Sequence, residues 1–245
     1  SSYLYSAGSS SSNGSFSYTT PNNGTSSTYL GVLYGFGSKG FSHDYKVYVI
    51  GSTVPYIGKI NVAGGTLDLR NMTGTMAEEI SGAGSVTKSG TGALTFTAAN
   101  TYTGGTTLNA GALILGSANA ISTSGTIAFN GGVLKATASN TTDYSSRFST
   151  AANQQYKIDT NGQNVTWATA LTSSGGSLVK SGTGTLTLTG TNTHATTTID
   201  AGTLQVNAAT ALNSTTGDIT VNSGGTLYLN NVSLASKNVS VAGTG

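Results

Sequence analysis

One stretch of this chain occurs twice, and the duplication limits what everything around it can fold into. The first copy, residues 84–115, reads GSVTKSGTGALTFTAANTYTGGTTLNAGALIL. The second, residues 176–206, reads GSLVKSGTGTLTLTGTNTHATTTIDAGTLQV. From Ser85 to Thr101 the copies align without a gap at an offset of 92, pairing Lys88 with Lys180 and Asn100 with Asn192. One residue is then lost in the loop, and Leu108–Leu115 matches Ile199–Val206 at an offset of 91. Self-similarity at a fixed period marks a solenoid or array, in which each unit buries its apolar face on its neighbours.

A shorter signature runs beyond the copies. A Gly-led turn is followed by Thr, Ala or Val and then by a Leu that opens an alternating strand. It occurs at Leu67, Leu94, Leu113, Leu134, Leu186, Leu204 and Leu227, with gaps of 27, 19, 21, 52, 18 and 23 residues. The 52 is about two turns, and the run Tyr156–Thr169 would hold the missing one. Rungs near 20 residues, built from short strands and Gly-led turns, predict a parallel β-helix. A sandwich would show turn signals every 8–12 residues and hairpin dipeptides. Asn-Gly occurs at 13, 23, 130 and 161, and only the pair at 130 lies between clear strands. No stretch has helical periodicity.

The two copies also report which side chains face inward. Ile114 in the first becomes Gln205 in the second, between Leu204 and Val206. Period-two alternation then places Leu113, Leu115, Leu204 and Val206 inside, with Leu94, Phe96, Leu186 and Leu188. Thr95 and Thr187 fall outside, where β-branched side chains suit a pleated surface. This parity does not carry back across the SGTG turn. Lys88 and Lys180 are expected on the surface, because an unpaired Lys is almost never fully buried.

Composition agrees with a folded, turn-rich β protein. Only 7% of the residues are charged, the net charge is +2, and 36% are hydrophobic; disorder usually goes with low hydrophobicity and high net charge. There is no cysteine, so neither a disulfide framework nor a thiolate metal site is available. No apolar run reaches the roughly 18 residues of a membrane helix. The chain begins abruptly at Ser1 and ends in SVAGTG, where the copies would continue, and reads as a piece of a longer array.

Residues 1–58 differ in kind from the rest. Residues 1–28 are low-complexity Ser, Gly, Asn and Thr with interspersed aromatics, a lead-in of which part could pair as an edge strand. Eight of the twelve tyrosines precede residue 57. YLGVLYGFGSKGF and DYKVYVIG read as two strands around a Gly-rich turn. The division expected is therefore an irregular, Tyr-rich cap or subunit-contact segment over 1–58 and a β-helix repeat region over 59–245. A cap has a physical reason, since a solenoid needs an end that covers its open core.

The duplicated residues resemble the autotransporter-associated β-strand repeat of bacterial autotransporter passenger domains. The first copy follows the pattern K-x-G-x-G-x-L-x-L-x-x-x-N-x-Y-x-G-x-T-x-I-x-x-G-x-L closely. The second departs from it with His194 for Tyr102 and Ala195-Thr196 in the loop. The resemblance implies an all-β fold, a right-handed parallel β-helix, exported through both membranes and displayed on the cell surface or released. The family's translocating β-barrel is not in these residues, so the secretion route is an inference.

The residues offer little chemistry. The eight carboxylates are Asp44, Asp68, Glu78, Glu79, Asp143, Asp159, Asp200 and Asp218. Glycoside hydrolysis needs two at a defined separation. Glu78 and Glu79, adjacent on a strand, would face opposite ways; Asp200 takes the turn position of Asn109; Asp68 reads as a surface partner of Arg70. Ser42-His43-Asp44 reads as a surface turn, since placement in space and not adjacency makes a triad. His194 lies in a loop, and two scattered histidines without Cys do not make a zinc site. The calcium-binding G-G-x-G-x-D repeat and the phosphate loop are missing, and the basic residues are too dispersed for nucleic acid. Eight N-x-S/T sequons follow from composition and are assigned no role.

No catalytic, cofactor-binding or metal-binding residue is assigned. The expectation is a non-enzymatic extracellular bacterial surface protein, a rigid stalk or adhesin. Its partners would be copies of itself or the surface of a host or neighbouring cell. Two alternatives stay open: a filament subunit assembled head to tail, with residues 1–58 docking near Val239–Gly245, and a secreted β-helical carbohydrate-active enzyme.

Overall fold

A computed structural model describes residues 59–208, 212, 217–232, 234 and 238–242, and by backbone alone 29–33 and 46–50. Among these residues there is no α-helix, only a 3-10 turn at Ser145–Arg147 among twenty-one short strands. A six-stranded sheet joins β1 (Tyr29–Leu33), β2 (Lys46–Ile50), β4 (Thr66–Asp68), β7 (Ser85–Lys88), β9 (Thr106–Leu108) and β11 (Ile127–Phe129). A nine-stranded sheet runs through β5 (Gly74–Met76), β8 (Ala93–Phe96), β10 (Ala112–Leu115), β12 (Val133–Lys135) and β13 (Gln155–Asp159). It continues through β15 (Ser177–Ser181), β17 (Thr196–Ile199), β19 (Ile219–Val221) and β21 (Val239–Val241). Four strands, β14 (Val165–Trp167), β16 (Thr185–Leu188), β18 (Gly202–Val206) and β20 (Gly225–Leu229), form a third sheet, and β3 (Ile60–Asn61) pairs with β6 (Ile80–Ser81).

Among the described strands every pairing is parallel except that of β1 with β2. The chain is a parallel β-solenoid of about nine turns, as the repeat predicted. The two strands expected around a Gly-rich turn near the N-terminus are the antiparallel pair β1–β2. The proposed edge pairing within 1–28 and the Ser42-His43-Asp44 turn lie outside the described residues.

The run Tyr156–Thr169 does hold the missing rung, as β13 and β14. The two described Asn-Gly pairs mark corners, not hairpins. Asn130-Gly131 turns the chain from β11 in one sheet to β12 in another. Asn161-Gly162 does the same between β13 and β14, with φ of 49° and 81°. Sequence reading missed this second corner because neither flanking strand carries the signature Leu.

The core consists of side-chain columns running along the axis. One passes through Leu94, Leu113, Leu134, Ile158, Lys180, Ile199, Val221 and Val241 in successive strands. Another runs Trp167, Leu188, Val206, Leu229. The eight residues assigned to the interior by alternation are all buried, and Thr95, Ile114, Thr187 and Gln205 are half-buried on the outer face. Each buried Leu or Val side chain contributes about 1.5–3 kcal/mol relative to exposure, so the columns hold the rungs together mainly by apolar burial.

The two copies are not in phase on the sheets. The first-copy strand β7 lies in the six-stranded sheet and β8 in the nine-stranded one; their counterparts β15 and β16 lie in the nine-stranded and four-stranded sheets. The change of face follows the segment between β12 and β13. That segment is fastened by side chains: Asp143 accepts from the N–H groups of Ser145 and Ala168, both at 2.8 Å. Arg147 donates to the carbonyls of Ser122 and Gly125, at 2.5 and 2.8 Å, and to that of Ser124. Where the phase changes, the core is filled by aromatics. Phe148 meets Phe129 and Trp167 edge-on, with centroids 4.9 and 4.8 Å apart, and stacks on Tyr156 at 5.9 Å.

Candidate functional site

The duplicated pentad KSGTG builds one corner twice. Its lysines are not on the surface: Lys88 and Lys180 are both fully buried. They alternate with Val86 and Leu178, so their stems lie in the core columns, Lys88 pairing with Leu108 and Lys180 with Ile158 and Ile199. Burial is tolerated because the ammonium turns out to the corner and donates to backbone carbonyls. Lys88 Nζ reaches the carbonyls of Arg70, Ser89 and Gly90 at 2.7, 3.3 and 2.8 Å. Lys180 Nζ reaches those of Ser181, Gly182 and Ala201 at 2.9, 2.7 and 3.0 Å. Three protons meet three oxygens in each copy.

The glycine after the serine makes this possible. Gly90 and Gly182 have φ of 83° and 72°, a left-handed conformation in which the turn aims successive carbonyls at one point. The glycine one rung on is needed for space: a Cβ on Gly202 would stand 2.5 Å from the carbonyl oxygens of Gly182 and Gly184. The signal for the lysines was in the sequence, since reading SVTK and SLVK as strands puts Val86 with Lys88 and Leu178 with Lys180 on one face.

Burial pushes the Lys180 ammonium down to about 8, against the opposing pull of Asp159, and lowers Lys88 in the same sense against Asp68. Above the folded value the native protein holds fewer protons than the unfolded chain, whose lysines titrate near 10.4. This contribution to stability therefore rises as the pH increases from about 8 and levels off near 10.4. Urea denaturation of the native chain and of Lys180→Met from about pH 7 to about pH 10 checks this. The native chain should gain on the variant through that window; a constant difference would refute it.

The loop after the corner is also built alike in both copies. Asn100 Oδ1 accepts from the Ile80 N–H and Asn192 Oδ1 from the Leu171 N–H, each at 2.7 Å and each from the rung before. Asn100 Nδ2 also donates to the Ala120 carbonyl at 2.6 Å, in the rung after. Two positions on, the Tyr102 hydroxyl bonds Thr106 Oγ1 at 2.6 Å, and His194 Nε2 bonds the equivalent Thr197 Oγ1 at 2.8 Å. His194, read from sequence as a loop residue, is thus buried in the place of Tyr102.

The described carboxylates are tied to turns and ladders. Asp68 accepts from the Arg70 N–H at 3.1 Å and from Ser89 Oγ, while its ion pair with the Arg70 side chain is only 3.9 Å close. Asp159 repeats this one-sided turn with the Asn161 N–H at 2.8 Å and adds an ion pair to Lys135 at 2.6 Å. Asp200 takes Asn222 at 2.7 Å as Asn109 takes Asn130 at 2.9 Å, so either residue serves at that position. Glu78 and Glu79 precede β6 and lie outside the strands, yet they do face different ways: Glu78 is buried, and Glu79 pairs with Lys59 at 3.3 Å.

Both corners and both loops fall within residues 86–115 and 178–206, which match the family model of the passenger-associated-transport-repeat. The chain carries two passenger-associated-transport-repeats. No curated protein and no solved structure matches it. In structural terms the repeat is a strand, a lysine-filled corner, a second strand, an asparagine-anchored loop and two further strands. These repeats on a β-solenoid fit an autotransporter passenger domain, a class secreted to the cell surface.

Proposed function

We propose that the chain is a non-enzymatic extracellular surface protein of autotransporter-passenger type, a rigid β-helical stalk that holds an adhesive surface away from the cell. The observation that carries this reading is the nine-stranded sheet, in which parallel pairing continues without interruption from β5 to β21. Stacked rungs of this kind resist bending through backbone hydrogen bonds aligned with the axis. About nine turns at roughly 4.8 Å each give a rod roughly 43 Å long. The carboxylates support the non-enzymatic part, since those described serve as turn and ladder acceptors.

A second reading is the head-to-tail filament. The exposed large apolar side chains among the described residues are Tyr228, Leu229, Val239 and Val241, all on the last rung. Val241 and Leu229 are the last described members of two core columns, where a further rung of the same chain or a second copy would stack. Negative-stain microscopy of the native protein over a range of concentrations separates the two readings. Isolated rods support the stalk. Fibres that vanish in the Val239→Lys/Val241→Lys variant support the filament. Release of reducing ends from a panel of polysaccharides would overturn both.

A further inference from the structure

We propose that each KSGTG corner is a binding site for a hydrogen-bond-donating monovalent cation, formed by the backbone and filled in this chain by its own lysine. The geometry separates the cage from its occupant. The two turn carbonyls, Ser89 and Gly90 or Ser181 and Gly182, are supplied by the left-handed glycine and recur in both copies. The third oxygen differs: Arg70 from the preceding rung in the first copy, Ala201 from the following rung in the second. The site therefore does not depend on one fixed third ligand. Its geometry fits a compact head group that directs three protons at carbonyls 2.7–3.3 Å away, which is the chemistry of ammonium and primary alkylammonium ions.

The surroundings favour such a ligand over water. The column residues beside the stem, Ile158 and Ile199, are buried and apolar. The cage residues Ser181, Gly182 and Ala201 are only half-buried, so the corner opens toward solvent once the stem is removed. Arginine would not substitute, because its planar fork cannot direct three protons from a single atom.

Lys180→Ala lacks the three carbons and the nitrogen that n-propylammonium supplies. The variant should melt below the native chain, and n-propylammonium chloride should restore part of the loss. At about 100 mM, with a Kd of about 10 mM, the recovery would be about 3–5 °C. Ammonium chloride should act in the same direction. Tetramethylammonium chloride, which has no N–H, and n-propanol, which has no charge, should not. A flat response overturns the proposal, and so does equal recovery with n-propanol, which would mean simple filling of a cavity. Where Lys180→Ala is unfolded in buffer, return of the native far-UV circular dichroism on adding n-propylammonium is the supporting result. A chain that stays unfolded in that salt while Lys180→Met folds overturns it.

Discussion

Replacing Trp167 with alanine should cost about 3–5 kcal/mol and lower the melting temperature by about 10 °C. Trp167 is 1% exposed, packs edge-on against Phe148 at 4.8 Å and begins a column with Leu188, Val206 and Leu229. The loss is large because the site cannot collapse. Phe148 is held in turn by Phe129 and Tyr156, and the two strands of the rung belong to different sheets. Trp167→Phe keeps a ring against Phe148 and should cost less than half as much. Circular dichroism melts of the three proteins test this, and an alanine variant within about 1 kcal/mol of the native chain would show that the cluster closes over the gap. Trp167 is the single tryptophan, so its fluorescence in the native chain reports on this rung alone.

The second large effect concerns the loop asparagines. Asn100→Ala removes the acceptor of the Ile80 N–H and the donor to the Ala120 carbonyl, both buried contacts. Asn192→Ala removes the acceptor of the Leu171 N–H. Stranding buried backbone groups costs about 1–3 kcal/mol each, so about 2–4 kcal/mol is expected for Asn100→Ala and about 1–3 kcal/mol for Asn192→Ala. The two sites share no partner, and their effects should add. Asn222→Ala, which breaks an exposed bond to Asp200, should stay within about 0.5 kcal/mol. Urea denaturation of the native chain, the three single variants and the Asn100→Ala/Asn192→Ala double variant measures this; a loop variant as mild as Asn222→Ala would mean that water replaces the amide.

The contrast between these residues shows what the sequence could disclose. Alternation was legible wherever the two copies disagree at one position, as with Ile114 and Gln205, because a solvent-facing slot tolerates exchange and the flanking Leu positions do not. Lys88 and Lys180 were misplaced by a rule about charge that ignores the corner carbonyls three-dimensionally opposite their ends. Those carbonyls come from other rungs as well as from the turn, and spacing along the chain does not reveal them. The rung of β13 and β14 was located only by default, since Tyr156 and Trp167 fill the core there in place of the signature Leu. The burial of His194 was hidden for a related reason. Its equivalence to Tyr102 was visible, but the inward pull of Thr197 was not.

The change of face between the copies has a consequence for what an outside molecule meets. In the first repeat the asparagine loop leads from the nine-stranded sheet to the six-stranded one; in the second it leads from the four-stranded sheet back to the nine-stranded one. Two nearly identical stretches of chain therefore look out over different sides of the same rod. The segment between β12 and β13 works like a detent in a ratchet, advancing the pattern by one side while the core columns continue through it. A lineage that lengthens or trims such segments can re-aim every loop beyond them without altering a single residue in those loops.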